Sequence, residues 1–310
     1  MLLLCTIIFI SSCVIFCLVA MLPVQAFKML RRADFKVLRA VELGMPHFEF
    51  VPIDYISRKI KLDLSLTSRI LGRLFKLGLV RRGVGAYEGY SLTTWGYDCL
   101  ALRYLVNSGF LEAIGKPLGV GKEADVYDAI TPAGERVAVK FHRLGRVSFR
   151  KTRRVRTYIA DRDKASWLIQ AKMAAKREYE ALVVLYSRGV RVPKPIAWNR
   201  HVVVMSFIDG DPLYVCDVLP DPEGFLEEVL ADIRRSFREA GIVHGDLSEY
   251  NVIVTPEIEP LIIDWPQFVY ASHPSAYMLL ERDVKNIVRF FKRRFRIEVD
   301  FREALSAVTG

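Results

Sequence analysis

A chain of 310 residues, 52% hydrophobic and 26% charged, is long enough for about two globular domains and can bury real cores. That balance excludes low-complexity disorder, collagen, a coiled coil and a disulfide-dense secreted scaffold as the main state. Lysine plus arginine number 45 against 35 aspartate plus glutamate, and the net charge of +10 favours an anionic partner: a nucleotide, a nucleic acid or an acidic membrane.

Residues 1–27 carry no charge, and Met1–Leu22 is almost wholly apolar, broken only by Thr6, Ser11 and Ser12. Such a stretch is long enough to span a bilayer, and Lys28, Arg31 and Arg32 behind it would hold the rest in the cytoplasm. It lacks the charged start and small-residue cleavage site of a signal peptide. Residues 1–28 therefore read as an apolar leader from a start codon placed too early, or as a signal anchor. Met21 and Met29 are in frame, and the patterned sequence begins just after Met29. A membrane is a partner only if the leader is real. Cys5, Cys13 and Cys17 lie in it, so Cys99 and Cys216 remain for the body, without a CxxC pair. That suits a reducing cytoplasm with neither disulfides nor a zinc site.

Residues 29–110 read as a winged helix-turn-helix. Phe35, Leu38 and Val41 give a first amphipathic helix that stops near Gly44 and Pro46. Pro52 opens a second helix, with Ile53, Ile56 and Ile60 as its buried stripe. Ser65 is placed to cap a third, in which Ile70, Leu71, Leu74, Phe75 and Leu77 repeat at helical spacing until Gly78. Leu79–Val80, a turn with Gly83 and Gly85, and Tyr87–Thr93 form a hairpin, and helical period returns over Thr94–Val106. Arg69, Arg73 and Lys76 lie on the polar side of the third helix, while Arg81 and Arg82 begin the wing. Those five residues are candidate phosphate contacts on RNA or DNA; the alternative is a solvated helix face. With no Asn or Gln on that helix, backbone binding is expected over base reading.

Residues 111–310 carry the chemistry. Gly119-Val-Gly121-Lys122-Glu123-Ala124-Asp125 lies between two β-type runs, and glycines let a backbone approach phosphates. Asp125 within it would repel them. Val137–Phe141 is a strand ending in charge, and Lys140 stands where a phosphate-holding lysine would. Such a lysine needs a helix glutamate. In the helical run Lys164–Tyr186, Glu178 shares the inward face with Ala175 and Leu182, and Glu180 is rotated toward solvent. His244-Gly-Asp246-Leu-Ser-Glu-Tyr-Asn251, followed by an apolar strand, has the spacing of a kinase catalytic loop. Asp246 can accept a hydroxyl proton, and Asn251 can ligate Mg²⁺. Asp264, after another apolar run, stands where a second metal ligand belongs. His244 is expected to brace the loop and His142 to be a packing residue. Arg143–Arg156 is basic without an acid, either a solvated loop or an RNA contact; Lys292, Arg293, Arg294 and Arg296 extend the basic surface.

These motifs, with Lys140-Phe141-His142 and Ile263-Asp264-Trp265-Pro266-Gln267, resemble the RIO atypical protein kinases, and with the winged helix in front the second RIO subfamily, in an archaeal-like form. The resemblance spans about residues 30–310. It implies an α+β chain: a winged helix-turn-helix, then a trimmed two-lobe kinase-like fold with an N-lobe over 111–204, a hinge at 205–208 and a C-lobe over 209–310. It implies a Mg²⁺-dependent (Mn²⁺ being an alternative) serine/threonine protein kinase using ATP as co-substrate. ATP-binding residues would be Gly119, Gly121, Lys122, Glu123, Lys140, Glu178 and the hinge residues Met205, Ser206 and Ile208. Lys140, Asp246 and Asp264 would be catalytic, Asn251 and Asp264 the metal ligands, and Ser148, or Thr152 beside it, an autophosphorylation site. Ribosomal RNA or a pre-small-subunit particle would be the partner, in the cytoplasm, with the chain a monomer. Ser248 replaces the lysine of ordinary kinases, and the stretch after Asp264 is short for a peptide platform. An ATPase switch on pre-ribosomal RNA is therefore an alternative, as is a non-catalytic RNA-binding scaffold.

Overall fold

The computed structural model describes residues 25–84, 87–143 and 162–310. The leader over 1–24, Gly85, and the candidate sites Ser148 and Thr152 lie outside them. Among the described residues no helix is long and apolar enough to cross a membrane. The chain forms two compact units, each with its own core.

The first unit takes in the described residues up to Asp125, with Arg143 and 162–170. It is a winged helix-turn-helix: α1 (Arg32–Gly44), β1 (Val51–Pro52), α2 (Ile53–Ile60), α3 (Leu64–Lys76), β2 (Val80–Val84), β3 (Glu88–Leu92) and α4 (Thr94–Asn107). Strand order is β1–β3–β2, with Val51 opposite Tyr90 and Val80 opposite Leu92. Val37, Leu38, Val41, Ile56, Leu71 and Leu74 are wholly buried, so the helical periods converge on one core. Pro52, preset in extended backbone, is the residue before α2 rather than its first turn.

Three expectations need correction here. The cap of α3 is Asp63, not Ser65: its carboxylate accepts the N–H groups of Ser65 and Leu66 at 2.8 and 3.3 Å, and a charged acceptor also suits the helix dipole. Phe75 is half exposed, because Leu71 and Leu74 already fill the inward stripe. The unit also begins ahead of Met29: Ala26 is buried in its core, and the Phe27 ring packs edge-on against Phe35 at 5.5 Å.

The second unit covers Val126–His142 and Ala171–Gly310. Strand β4 (Ala113–Val120) groups with the first unit. In the second unit β5 (Ala124–Ile130) from Val126 on, β6 (Arg136–His142), β8 (Val202–Ser206) and β7 (Pro195–Asn199) run in the order β5–β6–β8–β7. The helix α5 (Arg162–Ser187) buries Ala171, Ala175, Leu182 and Leu185. After the hinge come β9 (Asp211–Pro212), α6 (Pro222–Arg238), β10 (Ile242–Val243), β11 (Val252–Val254), β12 (Pro260–Ile262), β13 (Val269–Tyr270), α7 (Ala276–Phe295) and α8 (Phe301–Thr309). Strands β11 and β12 pair antiparallel, Val252 opposite Ile262, and the loops at their ends hold the candidate acids.

Candidate active site

Lys140 sits opposite Val203 in β6, a strand buried on both faces, and its own exposure is 8%. Its ammonium lies 2.6 Å from Glu178 Oε1 and 2.6 Å from Asp264 Oδ1. Glu178 comes from the inward face of α5, as the helical spacing implied, and Glu180 is exposed. Burial disfavours the Lys140 charge, but Glu178 and then Asp264 outweigh it and hold the amine above its ordinary value. Burial likewise opposes the Glu178 charge; Lys140 and then His142 reverse it and bring the carboxyl down to about 2.

His142 is more than a packing residue. It lies two positions beyond Lys140, on the same strand face, and its Nε2 is 2.7 Å from Glu178 Oε2. A carboxylate only accepts, so Nε2 carries the proton. Each Glu178 oxygen is thus held by one residue of β6. The next residue of α5 back, Arg177, donates to the Pro266 carbonyl at 3.2 Å and lies over the Phe268 ring at 4.6 Å, which ties the same helix to the segment after Asp264.

The catalytic-loop segment, His244–Asn251, joins β10 to β11. Gly245 has φ +79°, and an added Cβ would stand 3.3 Å from the Gln267 carbonyl, so glycine is favoured twice over. His244 is buried, and burial lowers its pKa. Its Nδ1 accepts the Asp246 N–H at 3.3 Å, so the ring proton sits on Nε2, which donates to the Ile263 carbonyl at 3.0 Å. His244 therefore braces the loop against the strand that delivers Asp264, and its ring packs at a tilt against buried Trp265, 4.5 Å between centroids. Asn251 Nδ2 donates to the Asp246 carbonyl at 3.0 Å, which leaves Oδ1 as its remaining donor atom for a ligand. The Asn251 carbonyl accepts the Ile263 N–H at 2.9 Å, placing Asn251 and Asp264 on adjoining strand ends. Asp264 is half exposed and adopts φ +69°. Asp246 is exposed.

Sequence reasoning missed Asp283. From α7 its carboxylate accepts the N–H groups of Gly245 at 2.7 Å and Leu247 at 3.0 Å, the residues either side of Asp246. The signal was available: a lone acid between Leu280, Val284 and Ile287 on an otherwise apolar helix face. Burial pushes its carboxyl up to about 6, more than the two amides pull it down. A folded acid with a raised pKa binds a proton that the unfolded chain releases, so its stabilising contribution is complete below pH 4 and is lost as pH rises through 6. The stability of the wild-type chain should therefore fall relative to Asp283→Asn over that window, by no more than about 3 kcal/mol. Denaturant titrations of both chains from pH 4 to 7 check this; parallel curves would refute it.

The nucleotide-loop candidates belong to the first unit. Gly119, Gly121, Lys122 and Glu123 are exposed, and the Gly121 N–H closes a tight turn on the Ala124 carbonyl at 2.8 Å. Asp125 is not an exposed charge: it is 3% exposed and bonded to Arg143. Arg143, placed by sequence in a basic surface loop, is itself 6% exposed. At the hinge Met205 is buried, and the Ser206 N–H donates to the Lys194 carbonyl at 2.9 Å, so Ser206 can offer a ligand its carbonyl; Ile208 follows, half buried. On the winged helix Arg69 and Lys76 are exposed. Arg73 instead forms an ion pair with buried Asp34, and Arg82 holds Glu88 in a fork at 2.9 and 2.8 Å. Arg81 reaches Ser91 Oγ at 3.4 Å. The basic face is thus narrower than the sequence suggested, because two of its arginines are matched within the fold.

The chain matches the RIO domain over residues 125–304 and the Rio2 N-terminal family over residues 27–108. It is 37% identical over 280 residues to the serine/threonine-protein kinase rio2 of Schizosaccharomyces pombe, covering 90% of this chain and 81% of that one. It is 39% identical over 254 residues to the RIO-type serine/threonine-protein kinase Rio2 of Methanocaldococcus jannaschii, covering 80% and 92%. Among solved structures, the Rio2 kinase–ADP/Mg²⁺–phosphoaspartate complex from Chaetomium thermophilum superposes with a TM-score of 0.81 at 34% identity, covering 91% of this chain and 88% of that one. An α+β winged helix joined to a kinase-like fold, the geometry of the Lys140 site and these relatives agree: the chain belongs to the RIO kinases, the atypical serine/threonine-protein kinases, and to their Rio2 type.

Proposed function

We propose that the chain binds ATP with Mg²⁺ and transfers the γ-phosphoryl group to serine, its own included. The observation that carries this reading is the Lys140 ammonium held 2.6 Å from both Glu178 and Asp264, beside a catalytic loop with an exposed Asp246. Lys140 positions the phosphates and Asp246 receives the proton of the attacking hydroxyl. The family resemblance supports Gly119–Glu123 as phosphate-binding residues and Met205, Ser206 and Ile208 as adenine-binding residues. Asn251 Oδ1 and the Asp264 carboxylate are hard oxygen donors of the kind Mg²⁺ takes, and the ion would neutralise charge on the phosphates. The Mg²⁺ and ADP of the Chaetomium relative support this assignment. The family resemblance and the net charge of +10 support a role on pre-ribosomal RNA in small-subunit maturation, through Arg69, Lys76 and Arg81.

A second reading, an ATPase switch, is favoured by the phosphoaspartate of that relative and by the exposure of Asp264. There an Asp264 oxygen attacks the γ-phosphorus, ADP leaves, and water later cleaves the acyl phosphate to inorganic phosphate. Incubation with γ-labelled ATP and Mg²⁺, beside Asp246→Ala, separates the two. Label on serine supports the kinase reading. Label in free phosphate, with a hydroxylamine-labile phosphoprotein, supports the switch. Equal label transfer by Asp246→Ala would remove Asp246 from the mechanism.

A further inference from the structure

Asp125 closes the Gly119–Asp125 loop with a carboxylate that bound phosphates would repel. It is withheld from solvent: Arg143 Nε donates to its Oδ2 at 2.8 Å. The two terminal nitrogens of the same guanidinium hold Asp98, Nη1 to Oδ1 at 2.6 Å and Nη2 to Oδ2 at 3.0 Å. Asp98 is wholly buried and belongs to α4, the last helix of the winged-helix fold. The Arg143 backbone N–H also donates to the Glu123 carbonyl at 2.6 Å. Arg143 thus grips the loop at two points, by main chain at Glu123 and by side chain at Asp125, and is gripped in turn by a bidentate fork from α4.

A guanidinium is planar, so three bonds to two carboxylates fix the relative placement of all three groups. Burying such a cluster adds little net stability over an apolar one of the same volume. Its distinctive product is geometric: one conformation of residues 123–125.

We propose that Asp98 is a positioning residue for nucleotide binding, which acts through Arg143 to fix the end of the phosphate loop and to keep the Asp125 carboxylate off the phosphates. The proposal rests on the reading of Gly119–Asp125 as the phosphate loop.

The test measures ATP affinity, KM and kcat on the full-length chain for Asp98→Ala, Arg143→Lys, Asp98→Ala/Asp125→Ala and Gly121→Val. Asp98→Ala and Arg143→Lys should each weaken ATP binding about tenfold, the order expected from a small misplacement outside the reacting groups, with kcat at saturation within about twofold. In the double variant affinity should return toward the parent, because the released carboxylate is gone, while thermal stability falls further. A merely structural cluster would show the stability loss without that recovery, and this outcome overturns the proposal. So does unchanged affinity in Asp98→Ala while Gly121→Val, whose Cβ would crowd the Ala124 carbonyl at 3.2 Å, weakens it. If Gly121→Val also leaves affinity unchanged, the loop reading falls and the proposal with it. Should Asp98→Ala fail to fold, Asp98→Asn, which keeps the volume and removes the charge, decides by the same criteria.

Discussion

Lys140→Ala is expected to remove nearly all ATP-dependent phosphoryl transfer and to destabilise the chain as well. The activity loss follows from the role of the ammonium: phosphoryl transfer depends mainly on positioning and charge, and no second lysine lies two residues after Asp246 to share the work. The stability loss has a separate cause. Glu178 is 1% exposed, and without Lys140 its carboxylate keeps, among the described residues, the bond to His142. Leaving one partner of a buried ion pair unmatched typically costs about 3–5 kcal/mol. Burial, opposed now by His142 without Lys140, would push the Glu178 pKa up in the variant. A raised acid stabilises below its unfolded pKa and loses that contribution as pH rises, so the deficit of the variant should widen with rising pH. Lys140→Met combined with Glu178→Gln should recover much of the stability, since the amide still bonds His142 and no charge is stranded, but none of the activity. Thermal melts across pH, with label transfer from γ-labelled ATP, check both halves. Activity restored in the double variant would end the assignment of Lys140.

Asp246→Ala should give a comparable activity loss with an intact fold. Loss of a general base lowers turnover by about 10²- to 10⁴-fold. Its carboxylate is exposed, and the hydrogen bonds that hold the loop run through its main chain and through its neighbours Gly245 and Leu247. Exposed side chains without such partners usually change stability by less than about 0.5 kcal/mol. ATP affinity and melting temperature should therefore match the parent while kcat collapses. Normal turnover would sink the base assignment; a large fall in melting temperature would mean that the side chain holds the loop.

The two variants separate what the sequence showed from what it hid. Lys140, Asp246, Asn251 and Asp264 were legible because chemistry demands those residue types at short, fixed spacings. Glu178 was legible because helical period puts it on one face with Ala175 and Leu182. The supports were not legible: His142 meets Glu178 across 36 residues, Asp283 meets Gly245 across 38, and Arg143 meets Asp98 across 45. Pairings at that distance are set by how elements pack. A charged residue then reads as surface from its type alone, which is how Arg143 and Arg73 came to be misplaced. The cap of α3 was missed for a local reason: Asp63 and Ser65 are both good caps, and only the chain path into the helix selects between them.

Asp264 bends the chain into a left-handed turn at φ +69°, a conformation in which a side chain crowds its own backbone. Only glycine enters it freely, and aspartate and asparagine are the side-chain-bearing residues that tolerate it best. Backbone shape and chemistry therefore filter this position independently. Shape favours glycine, asparagine and aspartate, and of these three only aspartate supplies the carboxylate that pairs with Lys140 and that the proposed metal site calls for. Glutamate, with the same charge, is less well suited to the turn. A step from aspartate to glycine or asparagine would keep the turn but lose the carboxylate that meets Lys140, and a step to glutamate would keep the charge at a backbone shape that suits it less well.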